Sequence, residues 1–319
     1  MKLTSREQEI VEVLTQDPLA SQEDLAARFG ISRSSVAVHI SNLMKKGVIL
    51  GKGYVFNKKV SAVVAGEILL RINISNNNND CRIDTEISGF ALEASQALVK
   101  LGLATKLLTV LGADELGAQI LNRLKNQEVD VSNVIRSEQY RTARKVYVDN
   151  ILRYSETMAD EKISRDIESR EWLMQNCEWL LIDGQFQKML ANKSFFRDEN
   201  SPVTCTCNYW DGDLPEYLQQ YHLLVLGVTN FQKLEQRQQI GLEMVQAGVE
   251  NLLMTDGNSM ILWFSKNGIQ DFTLPPNQSF DSKNELHLFL AGLVYGLAAG
   301  YPMRQAIRIA TAQASKNEP

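Results

Sequence analysis

The sequence has 319 residues, an apolar content of 44% and a formal net charge of −5, values typical of a globular protein with room for a sizeable core. It has no run of about 18 apolar residues and it starts with polar residues, so we expect no membrane span and no signal peptide and predict a cytoplasmic protein. Four cysteines without a C-x-x-C spacing predict buried thiols, and we expect neither a metal site nor a cofactor.

Charge and length both indicate two domains. Residues 1–59 hold nine basic and six acidic side chains, a net charge of +3, whereas residues 60–319 carry −8. A basic N-terminal region before an acidic remainder is typical of a separate nucleic-acid-binding domain. We therefore predict one domain over residues 1–59 and a second over residues 60–319.

The chain begins with the pattern of three short helices. Thr4 and Glu7 form a capping-box pair at the start of the first helix. Ser21 and Asp24 open the second helix, and Gly30 closes it. The third helix is predicted over about residues 33–46, with its inward face formed by Val36, Ile40, Leu43 and Met44. Residues 48–56 follow as a hairpin with a Gly-Lys-Gly tip.

This arrangement resembles the winged helix-turn-helix of bacterial regulators of the leucine-responsive and related families. In such modules the third helix enters the major groove of double-stranded DNA, and the wing reaches a phosphate or the minor groove. The alternative is a helical dimerisation module with a solvated polar face. The resemblance implies the following DNA-binding residues: Ser32, Arg33, Ser34, Ser35, His39, Asn42, Lys45 and Lys52.

Strand-like and helical patterns alternate after residue 59. A helix is predicted over residues 91–101, and the alternation favours a doubly wound, mainly parallel sheet. The predicted strands are residues 60–70, 106–111, 179–182, 203–207, 223–226, 251–254 and 261–264.

Four segments of this region, in chain order, resemble signatures of the ribokinase-like family of carbohydrate and nucleoside kinases. Residues 88–102 have the length and spacing of its G-G-x-x-x-N-x-A motif and the helix that follows, and residues 111–117 match its G-x-D-x-x-G. Residues 255–257 keep the start of T-x-G-x-x-G, and residues 281–292 follow D-T-x-G-A-G-D-x-F-x-x-G. The resemblance implies a ribokinase-like α/β fold with a small β lid, placed at about residues 70–87 and 141–155.

The family's functional side chains are replaced in this sequence. Its sugar-binding aspartate aligns with Arg71 and its substrate-binding asparagine with Glu93. Its N-x-x-E motif falls on residues 227–230, which read Gly-Val-Thr-Asn, and the last glycine of T-x-G-x-x-G is Met260. The glycine-rich cradle for the transferring phosphate becomes Asn-Glu-Leu at residues 284–286, and the general base becomes His287.

These replacements favour a regulator over an enzyme. The leading hypothesis is a homodimeric DNA-binding transcriptional regulator whose kinase-like domain is catalytically inactive and senses a sugar, nucleoside or phosphorylated metabolite. Arg71 suggests an anionic ligand, unless it pairs with the neighbouring glutamates. The candidate ligand-binding residues are Glu67, Arg71, Gly89, Glu93, Thr255 and Gly257.

Two alternatives remain open at this point. One is an active carbohydrate or nucleoside kinase, of the pseudouridine type as a first guess, with an appended DNA-binding head and His287 as an unusual base. The other is a regulator whose kinase-like domain binds no small molecule and serves dimerisation or a protein partner.

Overall fold

The chain divides into two compact units, Met1–Lys59 and Val60–Pro319. The computed structural model describes residues 4–16, 20–45, 48–49, 60–77, 80–158, 160–191, 196, 201–210, 212–232, 234–275 and 277–315. No helix in these described ranges is long and apolar enough to span a bilayer.

The N-terminal unit consists of three helices whose starts follow the predicted caps. They are α1 (Ser5–Gln16), α2 (Gln22–Phe29) and α3 (Arg33–Lys45). The Thr4 hydroxyl accepts the N–H of Glu7 at 3.2 Å, and the Glu7 carboxylate accepts the N–H of Thr4 at 2.7 Å. Ser21 and Asp24 form the same reciprocal box at the start of α2. Both boxes satisfy backbone donors that a helix start otherwise leaves free.

The predicted inward face of α3 is wrong at one residue, Met44. Val36, Ile40 and Leu43 are buried together with Ile49, but Met44 is 45% exposed. Met44 follows Leu43 directly, and one residue turns about 100° around a helix, so it leaves the buried stripe. The rest of the predicted hairpin, including Lys52 at its tip, lies outside the described residues.

The second unit contains eight α-helices and fourteen β-strands among its described residues. Its helices are α4 (Phe90–Lys100), α5 (Glu115–Asn126), α6 (Asp160–Glu168), α7 (Glu171–Gln175), α8 (Gly184–Leu190), α9 (Leu234–Ala247), α10 (Leu286–Ala298) and α11 (Met303–Ala314), with a 3-10 turn at Glu216–Gln220. Its strands are β1 (Val60–Ala65), β2 (Leu69–Asn77), β3 (Asp80–Ser88), β4 (Thr105–Leu108), β5 (Val110–Gly112), β6 (Ile135–Ser137), β7 (Arg144–Val148), β8 (Ile151–Glu156), β9 (Cys177–Ile182), β10 (Val203–Tyr209), β11 (Leu223–Gly227), β12 (Asn251–Thr255), β13 (Met260–Ser265) and β14 (Gly268–Thr273).

An eight-stranded sheet forms the centre of this unit, in the order β14-β13-β12-β11-β10-β9-β1-β4. The pairings from β4 to β12 are parallel, and β13 and β14 add an antiparallel edge. Apolar clusters cover both faces of the sheet, which explains why its strands are almost continuously apolar. The predicted mainly parallel α/β fold is confirmed.

A separate four-stranded sheet, β3-β2-β7-β8, forms the lid. The sequence predicts one strand over residues 60–70, but the chain leaves the central sheet after Ala65 and enters the lid at Leu69. Gly66 lies at this exit, where an added Cβ would come within 2.6 Å of the Asp183 carboxylate. The predicted strand over residues 106–111 is also divided, since β5 leaves β4 to pair with β6.

Helix α10 is apolar around most of its circumference, because it packs against both the sheet and α11. Two of its glycines permit the close approach of α11. A Cβ at Gly292 or Gly296 would lie 2.7 Å from the Cα of Ala310 or Ala306, respectively. This packing fixes the N-terminal end of α10, where the candidate site lies.

Candidate functional site

A cleft of about 330 Å³ lies where the lid meets the carboxyl ends of the parallel strands. Ligands bind at this edge of open α/β sheets, and the volume suits a small metabolite. Gly89 lines it with Tyr209 and Cys207. The charged residues around it are Glu67, Lys145, Asp183, Lys283 and His287.

Lys145 brings the lid into this cleft. It projects from β7, and its Nζ donates to Glu67 Oε2 at 2.6 Å. Glu67 belongs to the short segment between β1 and β2, so this half-buried ion pair joins a lid strand to the end of the first core strand. The sequence places Glu67 near the ligand but gives no role to Lys145. The pairing depends on two segments 78 residues apart.

Asp183 is the buried acid of the cleft, and the sequence interpretation missed it. It follows β9 directly, and its carboxylate accepts the backbone N–H groups of Phe186, at 2.9 Å, and of Glu67. Burial raises the pKa of Asp183 to about 6; the backbone bonds from Glu67 and Phe186 and the Lys145 charge oppose this, and the Glu67 charge adds to it. An Asp-Gly pair at the end of an apolar strand was the signal that could have identified this position.

Replacing Asp183 with asparagine is expected to change how the free energy of unfolding depends on pH. The fold raises the pKa of Asp183 from 3.8 to about 6. Between these values the folded chain keeps a proton that the unfolded chain has lost, so stability falls as pH rises through this window. The fall is on the order of 3 kcal/mol, at about 1.4 kcal/mol for each pKa unit.

Urea unfolding of the two proteins at pH 4.5 and at pH 7 captures about 2 kcal/mol of this fall. Asparagine has one acceptor oxygen and cannot accept both backbone N–H groups. The stability lost with that hydrogen bond does not change with pH. The Asp183→Asn variant therefore loses less stability than the wild type between the two conditions. An equal loss in both proteins would contradict a raised pKa at Asp183.

His287 lies at the first turn of α10 with its Nε2 against the carboxylate of Glu93, and only 13% of its side chain is exposed. The other oxygen of Glu93 accepts the Ser88 hydroxyl at 2.8 Å and the Gly89 N–H at 3.3 Å. Burial raises the pKa of Glu93, but the contact with His287 and the bonds from Ser88 and Gly89 outweigh it and leave this pKa lowered. The predicted Gly89, Glu93 and His287 thus lie together at one wall of the cleft.

The loop before α10 directs its backbone donors at its own aspartate. Asp281 Oδ1 accepts the N–H groups of Lys283, at 2.8 Å, and Asn284, at 3.1 Å. The carbonyl oxygen of Asp281 accepts the N–H of Glu285 at 2.8 Å. Partial burial raises the pKa of Asp281, but these bonds, the Asn284 amide and the Lys283 charge hold it below its ordinary value. The amides of Lys283, Asn284 and Glu285 are therefore already engaged.

The exposed side of α3 forms a second candidate surface. Ser32 caps the helix, since its hydroxyl accepts the N–H of Ser35 at 3.1 Å and bonds to Ser34 at 2.8 Å. Arg33 pairs with Glu23 at 2.9 Å, and both side chains are well exposed. Neither Asp nor Glu occurs in α3. The other predicted DNA contacts on this helix are at least partly exposed: His39, Asn42 and Lys45.

Comparison with known proteins identifies both units. A winged helix-turn-helix DNA-binding family matches residues 3–49. The pfkB family of carbohydrate kinases matches residues 86–317. The chain belongs to the pfkB family. The predicted order, a winged helix-turn-helix followed by a ribokinase-like domain, is confirmed.

Several relatives have a comparable extent. An uncharacterised sugar kinase of Escherichia coli, YeiI, is 27% identical over 98% of this chain and 93% of its own length. Ribokinase from Thermotoga maritima has the same fold, with a TM-score of 0.65 at 13% identity over 81% of this chain and 94% of its own. A nucleoside kinase from Burkholderia thailandensis, solved with inosine, has a TM-score of 0.60 at 14% identity, covering 80% and 90% of the two chains.

Arg71, which aligns with a sugar-binding aspartate of the pfkB family, does not line the cleft. Its guanidinium lies 4.4 Å from the ring centroid of Tyr147, and its Nε is 3.9 Å from Glu86. Arg71 lies in register with Glu86 on β3 and with Lys145 on β7, so it shares the lid face of Lys145 but contacts lid residues. Arg71 is therefore directed at lid residues in this structure, and its binding of an anionic ligand stays a prediction.

Thr255 and Gly257 also lie away from the cleft, where they support the loop before α10. The Thr255 hydroxyl accepts the N–H of Gly257 at 3.0 Å and donates to the carbonyl of Met260 at 3.1 Å. Gly257 has a φ of +71°, and a Cβ there would lie 2.1 Å from the carbonyl oxygen of Phe280. This contact keeps two loops of the pfkB fold side by side.

The family's magnesium-organising N-x-x-E positions do not offer a carboxylate in this chain. The last position is Asn230, whose Oδ1 accepts the N–H of Gln232 at 2.9 Å. The neighbouring Thr229 hydroxyl shares a hydrogen bond of 2.6 Å with Tyr209. Among the residues that the structure describes, no group of three or more His, Cys, Asp or Glu side chains is placed to hold a metal ion. Proteins usually hold magnesium through one or two carboxylates and substrate phosphates, and the N-x-x-E positions of this chain supply no carboxylate.

Proposed function

We propose that this protein is a DNA-binding transcriptional regulator whose pfkB domain senses a small molecule and does not transfer phosphate. The observation that supports this best is the pairing of His287 with Glu93 at the position of the family's general base. A base must present a ring nitrogen to the substrate hydroxyl, but Nε2 of this imidazole faces Glu93 and only 13% of the side chain is exposed.

The loop before α10 supports the same proposal. Phosphoryl transfer depends on positioning and on donors aimed at the developing charge. Here the N–H groups of Asn284 and Glu285 are bonded to Asp281. Each lost donor costs roughly 10²–10³ in rate, and a lost base about 10²–10⁴. The combined loss leaves no useful turnover.

Family membership and the sugar-kinase relative favour one alternative, an active carbohydrate or nucleoside kinase with a DNA-binding head. Magnesium-dependent ATP turnover with a panel of sugars and nucleosides distinguishes the two functions. Turnover above the level of a heat-treated sample would replace the regulator proposal with the kinase.

The cleft has the groups that a sensor needs. Lys145 and Lys283 supply positive charge, and Asp183 with Glu67 supplies oxygens that accept hydroxyl groups. The pairing of Lys145 with Glu67 means that a bound metabolite contacts lid and core together. We therefore propose a hydroxyl-rich ligand, a sugar, nucleoside or phosphorylated metabolite, held through Glu67, Gly89 and Glu93.

Metabolite screening by thermal unfolding tests the sensor. A ligand at 100 times its Kd stabilises the folded chain by about 2.7 kcal/mol. Glu67→Gln is expected to reduce that shift, because it weakens the link to Lys145, whereas the exposed Glu243→Gln on α9 is the matched control. A screen without any hit would favour the other alternative, a kinase-like domain that serves only dimerisation or a protein partner.

Selection of genomic DNA tests the regulator itself. The purified chain is mixed with sheared DNA of its source, and the bound fragments are sequenced. A few sharply enriched promoters are the expected result. Uniform weak recovery, with or without candidate metabolites, would count against sequence-specific DNA binding.

We further propose that the regulator is a homodimer joined through the outer face of its lid. In-register residues of all four lid strands form an apolar row on this face: Ile83, Ile74, Val148 and Ile151. Ile83 and Ile151 are 62% and 54% exposed, and Tyr154 in the next row is 72% exposed. Lys145 points the other way, into the cleft. A two-fold dimer also suits a helix-turn-helix that reads paired half-sites.

Replacing both Ile83 and Ile151 with lysine is expected to give a monomer. The exchange places charges at both ends of the proposed apolar row, where they lose hydration without a partner on contact. Leu152→Lys is the control, because Leu152 is 46% exposed but pairs with Tyr147 and so lies on the opposite face of the lid. Sedimentation gives the masses. A monomeric wild type, or a double variant that stays dimeric, would contradict this surface.

A further inference from the structure

Val38 is an exposed apolar side chain in the middle of the polar side of α3. It is 58% exposed, whereas the apolar residues that hold the helix in place are buried. Residues three and four positions away on a helix are its neighbours on the surface. For Val38 these are small or polar side chains: Ser34, Ser35, Ser41 and Asn42.

DNA is the occupant that the charge of this side favours. Arg33 and Lys45 lie near the two ends of α3, and the helix contains no carboxylate. The winged helix-turn-helix match covers the whole of α3. In such modules the recognition helix, here α3, enters the major groove, and its small side chains allow close approach.

The chemistry of the major groove restricts what Val38 can recognise. Its neighbours can exchange hydrogen bonds with base edges, but an isopropyl group cannot. The apolar group that a base pair presents in the major groove is the C5-methyl of thymine. We propose that Val38 packs against a thymine methyl and makes the regulator specific for thymine at one position of each half-site. This inference depends on the sequence-specific DNA binding proposed above.

Deoxyuridine provides the test, because it differs from thymidine only by that methyl group. Each dT of an enriched genomic fragment is exchanged for dU in turn, and affinities are measured for the wild type and for Val38→Ala. The wild type is expected to lose about fourfold at one position of each half-site, the value of one buried methyl-sized group. Val38→Ala is expected to show no loss at that position.

Ser41→Ala is the matched control, because it alters a neighbouring exposed side chain and leaves Val38 in place. It should keep the penalty for dU. If Val38→Ala binds the fragment specifically and keeps the same penalty at every position, the inference is wrong while the proposed function stands. If the wild type enriches no fragment, both fail.

Discussion

Replacing Arg33 and Lys45 together with alanine is expected to abolish promoter enrichment and to flatten the salt dependence of DNA binding. Each phosphate contact contributes about −0.9 to the slope of log affinity against log salt, so the slope changes by about two. The ratio of wild-type affinity to variant affinity for DNA then falls roughly tenfold between about 50 and about 200 mM salt. Fluorescence anisotropy on an enriched fragment measures both slopes.

The ion pair between Arg33 and Glu23 does not prevent this contact. Both side chains are well exposed, and exposed ion pairs contribute little to stability. Arg33 can therefore exchange Glu23 for a phosphate at small cost. Glu23→Gln should accordingly raise DNA affinity slightly, since it frees Arg33 and removes a negative charge.

Lys266→Ala with Arg304→Ala is the control, because it removes the same charge from exposed positions of the other unit. Its slope should equal that of the wild type. If the Arg33 and Lys45 variant also keeps the wild-type slope, α3 does not lie on the phosphate backbone, and the DNA-binding residues proposed here are wrong.

Local patterns predicted most of the fold. The reciprocal boxes at Thr4 and Ser21 involve residues three positions apart, so the sequence contains the whole interaction. Strands such as β11 and β12 are buried on both faces, and their nearly unbroken runs of apolar residues identify them in the sequence. The exit from the sheet at Gly66 was missed, because the space there is limited by Asp183, more than a hundred residues later.

The site was harder to predict for the same reason. The family signatures placed Glu67, Gly89, Glu93 and His287 near one another, and they line or adjoin one cleft. Arg71 lies on the same lid face as Lys145, but it contacts Tyr147 and Glu86 and does not line the cleft, and alignment to a family position cannot predict such contacts. Lys145 carries no signature, and only the pairing of β7 with β2 brings it to the cleft.

Replacing His287 with aspartate is expected to leave the chain without kinase activity. The change returns the family's general base, which is worth about 10²–10⁴ in rate. Asn284, Glu285 and Leu286 remain in place of the family's glycine-rich cradle, and at roughly 10²–10³ for each lost donor the larger loss persists. A coupled assay of ADP release with magnesium, ATP and a panel of sugars and nucleosides measures the turnover.

The same substitution is expected to lower the melting temperature, which provides a second observable. His287 lies against Glu93, and that contact helps to offset the effect of burial, which raises the pKa of Glu93. An aspartate there places two carboxylates side by side, and like charges disfavour the ionised form of both. His287→Asn is the control, since it removes the imidazole without adding charge. The difference between the two variants should grow as pH rises above the pKa values of both carboxyl groups.

Adding Asn284→Gly, Glu285→Ala and Leu286→Gly to His287→Asp restores the small residues of the family loop, with Ser282 still in place of its threonine. Only this combination is expected to recover any phosphoryl transfer, because it removes the side chains and the charge of Glu285 from the helix start as well as returning the base. Turnover by His287→Asp alone would mean that the donors are still available and that the loop is not the barrier. Turnover by the wild type would mean that His287 is a working base, and the cleft would then be an active site.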